Sequence, residues 1–500
     1  MTVLLPICVL LLMCLFYYVT RTFDYWKKRN VKGPKPLPLF GNIAQSALRR
    51  KHVGIIYKEI YDQFPDEHFV GIFKMTTPSL LVRDLDIVKQ ILVKDFDCFS
   101  ERGITFSYDK LGSNLFHSDT DTWRELRSHL TPALTSRKLR SVFPSLEELS
   151  SKFVNYIGSL EGNDHDALRL ILRYTVATIM TGCFGLNIDT FKNDNTLFEL
   201  LDKGAFGPSY WNEADMLCPG ILEKFNLSIF PQILKKFCHE IIQISSNHEN
   251  NLDICNIVDI LRRLKEVRNM QRKKNNNQKE SALEVTEDVI ESQLFIFFIA
   301  GYGNNTVALS YALHYLAEDP KIQERLITEI DEVTLRHHGR VTHDSLKEMK
   351  YLNMIFYETL RMHPLTNSVA RAATQDYKIS NTDLIINKGT TIVISPYAIQ
   401  HDEKNYRNPE IFDPERFTVE NIKGRHPCAF MAFGAGPRGC LGKWSDSILY
   451  LIVYVSPRFS SGYALRSCCQ DTGWKVPGER RTSRTTTLGG PSSSQKMAFI

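Results

Sequence analysis

The segment from Phe433 to Gly442 holds the residues best suited to chemistry, and its sequence is FGAGPRGCLG. Cys440 offers a thiolate, which is a metal ligand, and the glycines around it let the backbone fold tightly against a flat ring and point amide hydrogens at the sulfur. A thiolate on haem iron supplies electron density that favours O–O cleavage, and the planar fork of Arg438 suits a haem propionate. A haem-thiolate site is therefore predicted; the alternative is a structural cysteine in a glycine-rich turn.

This segment matches the pattern F-x-x-G-x-R-x-C-x-G at every fixed position, and a chance match has odds on the order of 1 in 10,000. On this pattern the chain resembles the cytochrome P450 family. The resemblance implies that Cys440 is the proximal ligand of haem b and that Phe433 and Arg438 contact the cofactor. Two further segments resemble family motifs in the family's order, E-x-x-R at 358–361 and P-E-R-F at 414–417.

The same resemblance implies a buried triad of Glu358, Arg361 and Arg416 that stabilises the region around the haem. Taken alone, an acid and an arginine three residues apart are usually a surface ion pair. The position of this pair upstream of the cysteine segment favours the triad. Loss of one member is expected to be costly, because it leaves a buried charge without a partner.

Three more residues are expected to bind the haem propionates. Trp123 and Arg127 resemble the family's W-x-x-x-R, and on a helix they lie four residues apart on one face. The alternative for this pair is a core tryptophan beside a solvated arginine. Arg371 stands where the family often supplies another arginine to the propionates.

The apolar run from Leu294 to Gly301 is similar to the start of the family's long helix over the distal face of the haem. The family then has an acid and a threonine that help deliver protons to oxygen, but Gly303 and Asn304 align with these positions. Neither residue is a general acid. As candidate catalytic residues, Asn304 is predicted to hold a water, and Thr306 to replace the threonine only if the helix is distorted.

The first twenty residues predict a membrane anchor. No charged residue lies between Thr2 and Thr20, which is about the length that a spanning helix needs. Basic residues follow the apolar run and favour a cytoplasmic position for the rest of the chain: Arg21, Lys27, Lys28 and Arg29. A cleaved signal peptide is the alternative, but basic residues before the run and a small-x-small site after it are lacking.

Composition, pattern and the family resemblance together divide the 500 residues into four parts. Residues 1–20 are the anchor, 21–42 a basic, proline-rich hinge, 43–442 the haem-thiolate catalytic domain and 443–500 a divergent tail. The fold class predicted is mainly α with small β-sheets, the cytochrome P450 fold with an N-terminal transmembrane helix. A helix is predicted from Pro320 to Ile330, short β runs between Asp376 and Ser395, and a solvated loop over 266–282. The net charge of +5 gives no case for nucleic acid.

The tail departs from the family after Gly442. Residues 459–500 mix Ser, Thr, Arg and Gly without a hydrophobic period, which predicts disorder. Read two bases out of frame, the codons for residues 490–500 can encode TIILAKDGIY, which resembles the family's closing strand. We therefore hypothesise a frameshifted C-terminus, which an intact reading frame in independent transcripts would disprove.

The resemblance implies a monooxygenase that inserts one atom of O2 into apolar small molecules. It would take electrons from NADPH through NADPH–cytochrome P450 reductase, with cytochrome b5 as a second donor, at the endoplasmic reticulum membrane and facing the cytoplasm. The segment 425–430 resembles insect microsomal members that oxidise plant toxins and insecticides. Two alternatives stay open: a haem-thiolate isomerase or dehydratase, and a degenerate, inactive member.

Two sets of residues are expected to serve these partners, although each residue has an ordinary structural alternative. A basic docking face for the reductase would use Arg124, Arg137, Lys138, Arg140, Lys423 and Arg425. Residues that face the substrate would be Phe106, Tyr108, Leu115, Phe116 and Phe298.

Overall fold

The computed structural model describes residues 4–104, 106, 109–160, 167–188, 190–191, 211, 214, 220–225, 227–247, 257–274, 284–366 and 368–442. Within these residues lie sixteen α-helices: Leu4–Thr20 (α1), Ala44–Ala47 (α2), Val53–Gln63 (α3), Leu85–Lys89 (α4), Thr120–Leu130 (α5), Ser136–Gly158 (α6), Ala167–Phe184 (α7), Ile221–Lys224 (α8), Gln232–Asn247 (α9), Ile257–Lys274 (α10), Glu287–Glu318 (α11), Pro320–Arg336 (α12), His343–Glu348 (α13), Lys350–Met362 (α14), Pro396–Gln400 (α15) and Val419–Lys423 (α16). The predicted tail, Tyr108 and residues 275–282 of the predicted loop lie outside the described residues.

Two small sheets complete the architecture of the described residues. The strands are Phe69–Lys74 (β1), Thr77–Val82 (β2), Val369–Ala372 (β3), Tyr377–Lys378 (β4), Ile385–Ile386 (β5) and Thr391–Ile394 (β6). The larger sheet has the order β1-β2-β6-β3, in which β2 and β6 run parallel and the other pairs are antiparallel; β4 and β5 form an antiparallel pair. The prediction of a mainly α fold with small sheets is confirmed, as are the β runs between 376 and 395.

The long helix α11 passes through the centre of the helical core. Its side chains from Ile290 to Leu316 are largely buried. A Cβ placed on Gly301 would lie 2.4 Å from Cδ1 of Ile179 on α7. The absence of a side chain at Gly301 therefore allows α7 and α11 to approach closely.

Local signals explain where some helices begin, and packing explains where they end. Asp319 caps α12 by accepting hydrogen bonds from the amides of Lys321 and Ile322, at 2.9 and 3.4 Å. The helix continues to Arg336 and not only to Ile330.

The prediction of a loop over 266–282 is wrong for residues 266–274, which belong to α10. The apolar face of α10, with Leu261 and Leu264, is buried in the core and stabilises the helix despite its basic surface.

The N-terminal helix α1 exposes its apolar side chains, among them Leu10, Leu11 and Leu12. Its 17 residues give a length of roughly 26 Å, slightly less than the hydrocarbon core of a typical bilayer. Among the described helices, Ala167–Phe184 alone passes a length-and-composition test for a membrane span, but two thirds of it is buried inside the protein. It is a core helix.

The connector of residues 21–42 packs against the larger sheet. Trp26 is only 3% exposed, and its indole N–H donates to the carbonyl of Ile72 at 3.0 Å. The amide of Gly71 donates to the carbonyl of Lys32 at 2.8 Å. A Cβ on Gly71 would lie 2.5 Å from Cγ of Trp26, so that only glycine accommodates the indole here. The connector is therefore packed against the sheet as part of the folded domain.

Candidate functional site

The cysteine segment forms a tight loop whose turns depend on its glycines. Gly434 and Gly436 have φ of +67° and +72°, a region that favours glycine. The amide of Cys440 donates to the carbonyl of Phe433 at 2.8 Å. A Cβ on Gly436 would lie 1.8 Å from the carbonyl oxygen of Leu92. The loop is held against residues 90–94, and Cys440 lies exposed at its end.

Four arginines converge on this loop: Arg102, Arg127, Arg371 and Arg438. Arg127 donates to the carbonyl of Gly439 at 2.9 Å, and Arg102 reaches the carbonyl of Arg438 at 3.4 Å. Arg371 is 1% exposed and Arg438 3%. Three of the predicted propionate ligands thus lie together at the cysteine loop.

Part of this arginine cluster has no hydrogen-bond partner among the described residues. Buried atoms without a partner include Nε of Arg102, Nε of Arg371, and Nε and Nη1 of Arg438. Burial lowers the pKa of Arg371 to about 10, and the charge of Arg438 lowers it further. Burial also lowers the pKa of Arg438 to about 10, although the carboxylates of Asp119 and Glu101 act to raise it. Burial, then the charges of the other three arginines, lowers the pKa of Arg102 well below its usual value. Buried positive charges at this density require an anion, and the two carboxylates of haem b fit that requirement.

Trp123 packs against the arginine cluster, and its side chain is only 5% exposed. The guanidinium of Arg438 lies 4.5 Å from the centre of its ring, a cation–π contact. Arg438 also donates to the carbonyl of Ser118 at 3.1 Å. The structure therefore brings Trp123, Arg127 and Arg438 into one site with the cysteine loop. Sequence reasoning missed Arg102, because no spacing or motif distinguishes it from other arginines.

Glu358, Arg361 and Arg416 form a buried ion-pair network. The side chains of Glu358 and Arg361 are 0% exposed. Arg361 donates from Nε and Nη2 to the two carboxylate oxygens, at 2.7 and 2.8 Å. Nε of Arg416 lies 3.3 Å from the same carboxylate, and the amide of Asp413 donates to it at 2.9 Å. This geometry joins α14 to the 413–416 segment.

Gln400, which the sequence did not single out, extends this network to the cysteine loop. Its amide nitrogen donates to the carbonyls of Leu360 and Arg361 at 3.0 and 2.8 Å. Its side-chain oxygen accepts from the amide of Met431 at 2.7 Å. The buried carboxylate is thereby coupled to the base of the cysteine loop. A glutamine nine residues after the start of β6 carries no sequence signal for such a role.

On α11, the two candidate catalytic residues lie on different faces. Asn304 is half-buried beside the exposed Ala300, and its side-chain N–H donates to the carbonyl of Ala300 at 3.0 Å. Thr306 is fully buried, and its hydroxyl lies 2.6 Å from that of Thr175 on α7. Two residues along a helix correspond to a rotation of about 200°. The helix is continuous through Gly301 and Gly303, so it lacks the distortion that Thr306 would need to replace the threonine.

Of the residues expected to face the substrate, Phe298 is in the core. It is 1% exposed and packs against Phe237 and Tyr302, with both ring centres 4.6 Å away. Phe116 is 39% exposed and lies under the guanidinium of Arg102, 3.9 Å from it. Phe116 therefore lies beside the arginine cluster, whereas Phe298 does not.

Comparison with known proteins identifies the family of the chain. The family model described as Cytochrome P450 matches residues 31–444. Cytochrome P450 6B1 of Papilio polyxenes is 44% identical over 462 residues, which cover 91% of this chain and 92% of the relative. Cytochrome P450 6B2 of Helicoverpa armigera is 44% identical over 440 residues, or 86% of each chain. Probable cytochrome P450 6a23 of Drosophila melanogaster is 32% identical over 462 residues, or 88% of this chain and 89% of the relative.

These matches span most of the chain, and the family match ends at residue 444, two residues after the cysteine loop. The relatives are insect proteins, as the segment 425–430 suggested. The chain is therefore an oxidoreductase of the monooxygenase type that uses haem, and it belongs to the cytochrome P450 family.

Proposed function

We propose that the chain is a membrane-anchored haem-thiolate monooxygenase that inserts one oxygen atom from O2 into apolar small molecules, such as plant toxins, insecticides or endogenous lipids. The observation that carries this proposal is the exposed Cys440 beside buried arginines, three of which have nitrogen atoms without a partner among the described residues. Haem ligated by a thiolate supplies the activation of oxygen, because the sulfur donates electron density that favours O–O cleavage.

The positions of individual residues support the following proposed roles. Cys440 is the iron ligand. Arg102, Arg127, Arg371 and Arg438 bind the propionates, with Trp123 behind Arg438 and Phe433 holding the Cys440 amide. The triad around Glu358 does not touch the cofactor and fixes the loop through Gln400.

Asn304 is proposed to orient a water on the exposed face of α11. It has a second amide hydrogen and a carbonyl oxygen beyond the bond to Ala300. Because Gly303 offers no side chain, protons would reach this site through water and not through an acid at that position.

Electrons are proposed to come from NADPH through NADPH–cytochrome P450 reductase, with cytochrome b5 as a second donor. Arg124 and Arg140 stay more than half exposed, which suits docking of an acidic partner. Arg425 suits it less, because its guanidinium packs over the rings of Tyr406 and Phe417. The exposed apolar helix α1 and the basic residues after it support a position at the endoplasmic reticulum membrane, with the catalytic body in the cytoplasm.

A second candidate function is a haem-thiolate isomerase or dehydratase, which needs no external electrons. The observation that favours it is the replacement of the acid and alcohol by Gly303 and Asn304. A third possibility is an inactive member whose divergent residues 443–500 fail to support the haem.

The test is a reduced, carbon-monoxide difference spectrum of the whole chain expressed in membranes, followed by turnover with NADPH and reductase. A thiolate-type Soret band that disappears in Cys440→Ser supports the site, and NADPH-dependent product supports the monooxygenase. Peroxide rearrangement without NADPH would instead favour the isomerase. Absence of the band, with recovery when residues 443–500 are replaced by a relative's C-terminus, would identify an inactive chain.

A further inference from the structure

Asp109 is a buried carboxylate that takes no part in the site described above. Its side chain is 0% exposed. One oxygen accepts from the amide of Leu111 at 3.1 Å, within its own loop. The other accepts from the hydroxyl of Ser228 at 2.5 Å and from the amide of Ile229 at 3.0 Å. Asp109 therefore joins two segments that are more than a hundred residues apart.

Lys235, in the first turn of α9, completes this contact. Its ammonium lies 3.0 Å from Asp109 and donates to the hydroxyl of Ser228 at 2.8 Å. The Lys235 side chain is 17% exposed, so the ion pair is largely shielded from water and from salt screening. Burial alone would raise the pKa of Asp109, but the hydrogen bonds from Ser228 and Lys235 outweigh burial and lower it. The carboxylate is thus ionised near neutral pH.

The two joined segments contribute most of the rings of an aromatic wall, which consists of Phe106, Phe116, His117, Phe230 and, from α11, Phe295. The ring of Phe230 lies 4.8 Å from that of Phe295, 6.0 Å from Phe106 and 6.2 Å from His117. The rings of His117 and Phe116 are 5.0 Å apart. Phe230 is the central member, and its backbone amide points toward Asp109 at 3.4 Å.

This aromatic wall lies between the arginine cluster and the distal helix. On one side, Phe116 lies under Arg102. On the other side, Phe295 belongs to α11 and is 5% exposed. The loop is also fixed to α11, because the amide of Leu115 donates to Gln293 at 2.8 Å. Among the described residues, Asp109 adds a second polar link to the loop, because it accepts from Ser228 and from the amides of Ile229 and Phe230.

We propose that Asp109, through its ion pair with Lys235 and its bond to Ser228, is a positioning residue that holds the aromatic wall in place and so sets the selectivity of the proposed haem site for flat apolar substrates. This role rests on the proposed monooxygenase function, because it needs haem in the site. Asp109 acts through Phe230 and does not touch the reacting atoms.

The test compares two ligands whose imidazole ring binds haem iron, imidazole itself and 1-phenylimidazole, by spectral titration. The ratio of their dissociation constants isolates the contribution of the wall, because the iron contact is common to both. Asp109→Asn keeps the shape of the side chain and removes its charge. This change is expected to weaken the binding of 1-phenylimidazole about tenfold relative to the binding of imidazole. The size corresponds to the loss of one hydrogen bond to a charged group.

Lys235→Met and Ser228→Ala remove one partner each and are expected to shift the ratio in the same direction by less. Lys110→Met is the matched control. Lys110 neighbours Asp109 but forms an exposed ion pair with Asp288, and its removal should leave the ratio unchanged.

The carbon-monoxide spectrum of each variant separates this proposal from the proposed function. If the unaltered chain lacks the thiolate band, the proposed function fails. If the unaltered chain shows the band, an unchanged ratio in Asp109→Asn overturns the positioning role. Loss of the band in all three variants also overturns it, because Asp109 would then be needed for folding and not for the pocket.

Discussion

The side chain of Asn304 uses one amide hydrogen for the carbonyl of Ala300 and leaves the rest of the amide for a water on the exposed helix face. A threonine at this position would offer a hydroxyl that both donates and accepts. Asn304→Thr is therefore expected to raise the product formed per NADPH consumed several-fold, because proton delivery improves. Asn304→Leu, which has neither donor nor acceptor, should lower this ratio. The measurement is product and NADPH in the same reaction, and equal ratios in all three proteins would contradict the assignment.

Glu358 is the common partner of two arginines, so removal of its charge has a large effect. Glu358→Gln leaves Arg361 buried without a counter-charge, and we expect a loss of about 3–5 kcal/mol in the free energy of unfolding. Glu415→Gln is the control, because its ion pair with Arg325 is about half exposed and should contribute at most about 1 kcal/mol. Urea unfolding of both variants measures the difference. Similar losses of unfolding free energy in the two variants would show that burial of the ion pair does not determine its contribution to stability.

At this scale the sequence predicted those residues whose spacing is specific. Cys440 lies in a motif of five fixed positions, and Glu358 precedes Arg361 in the order that the family requires. Arg102 and Gln400 were not predictable, because their partners are backbone carbonyls and distant side chains that no spacing reveals. Asn304 and Thr306 were predictable as candidates only. Helix periodicity places them on different faces, but that the Thr306 face is the buried one needed the packing of α7 against α11.

At the scale of elements, the cysteine loop depends on a close contact between backbones. Gly436→Ala would place a Cβ 1.8 Å from the Leu92 carbonyl at a φ of +72°, so the loop must move and haem binding should fall sharply. Gly424→Ala is the matched control, since a Cβ at Gly424 meets nothing within 4 Å and its φ is −94°. Haem bound per protein, from the thiolate band, gives the comparison. Equal haem content would mean that the loop can shift without loss of the site.

Helices α10 and α12 show what the pattern of one element does and does not determine. The start of α12 was predictable, because an Asp-Pro pair supplies both the cap and a proline at the first position. The continuation of α10 through residue 274 was not predictable from its basic, polar sequence. Its stability comes from burial of Leu261 and Leu264 and from an ion pair between Arg268 and Glu125 of α5.

At the scale of the whole molecule, buried neutral histidines make stability depend on pH. Burial, helped by nearby positive charges, lowers the pKa of His363 to about 3, and burial lowers that of His401 to about 4. The unfolded chain, with a histidine pKa of about 6.5, binds more protons below that pH. Stability is therefore expected to be complete above pH 6.5 and to fall as the pH decreases toward 4.

His363→Gln keeps an acceptor for the Tyr315 hydroxyl, which lies 2.7 Å from the ring nitrogen, and removes one titrating group. Its urea midpoint should fall less steeply between pH 7 and 5 than that of the unaltered protein. His239→Gln, on the surface, should leave the slope unchanged. Identical slopes in the unaltered protein and His363→Gln would exclude His363 as a contributor.

The overall architecture was predictable because the family resemblance covers most of the chain. The packing of the N-terminal connector was not. Three alternating prolines predict a stiff segment. No sequence pattern around Trp26 indicates that its side chain is buried against the larger sheet. One strand of that sheet, β6, comes from the distant residues Thr391–Ile394.

Because Trp26 lies in the core, a water-soluble version of the enzyme has to be cut at a defined place. Removal of residues 1–20 takes away α1 and leaves the indole on Gly71 and the guanidinium of Arg29 on Asn387. Removal of residues 1–42 empties the space that the indole fills, a loss comparable to a buried Trp→Ala change of about 3–5 kcal/mol. In the proposed membrane position, the end of α1 is thus not the boundary of the folded unit, because the connector of residues 21–42 belongs to that unit.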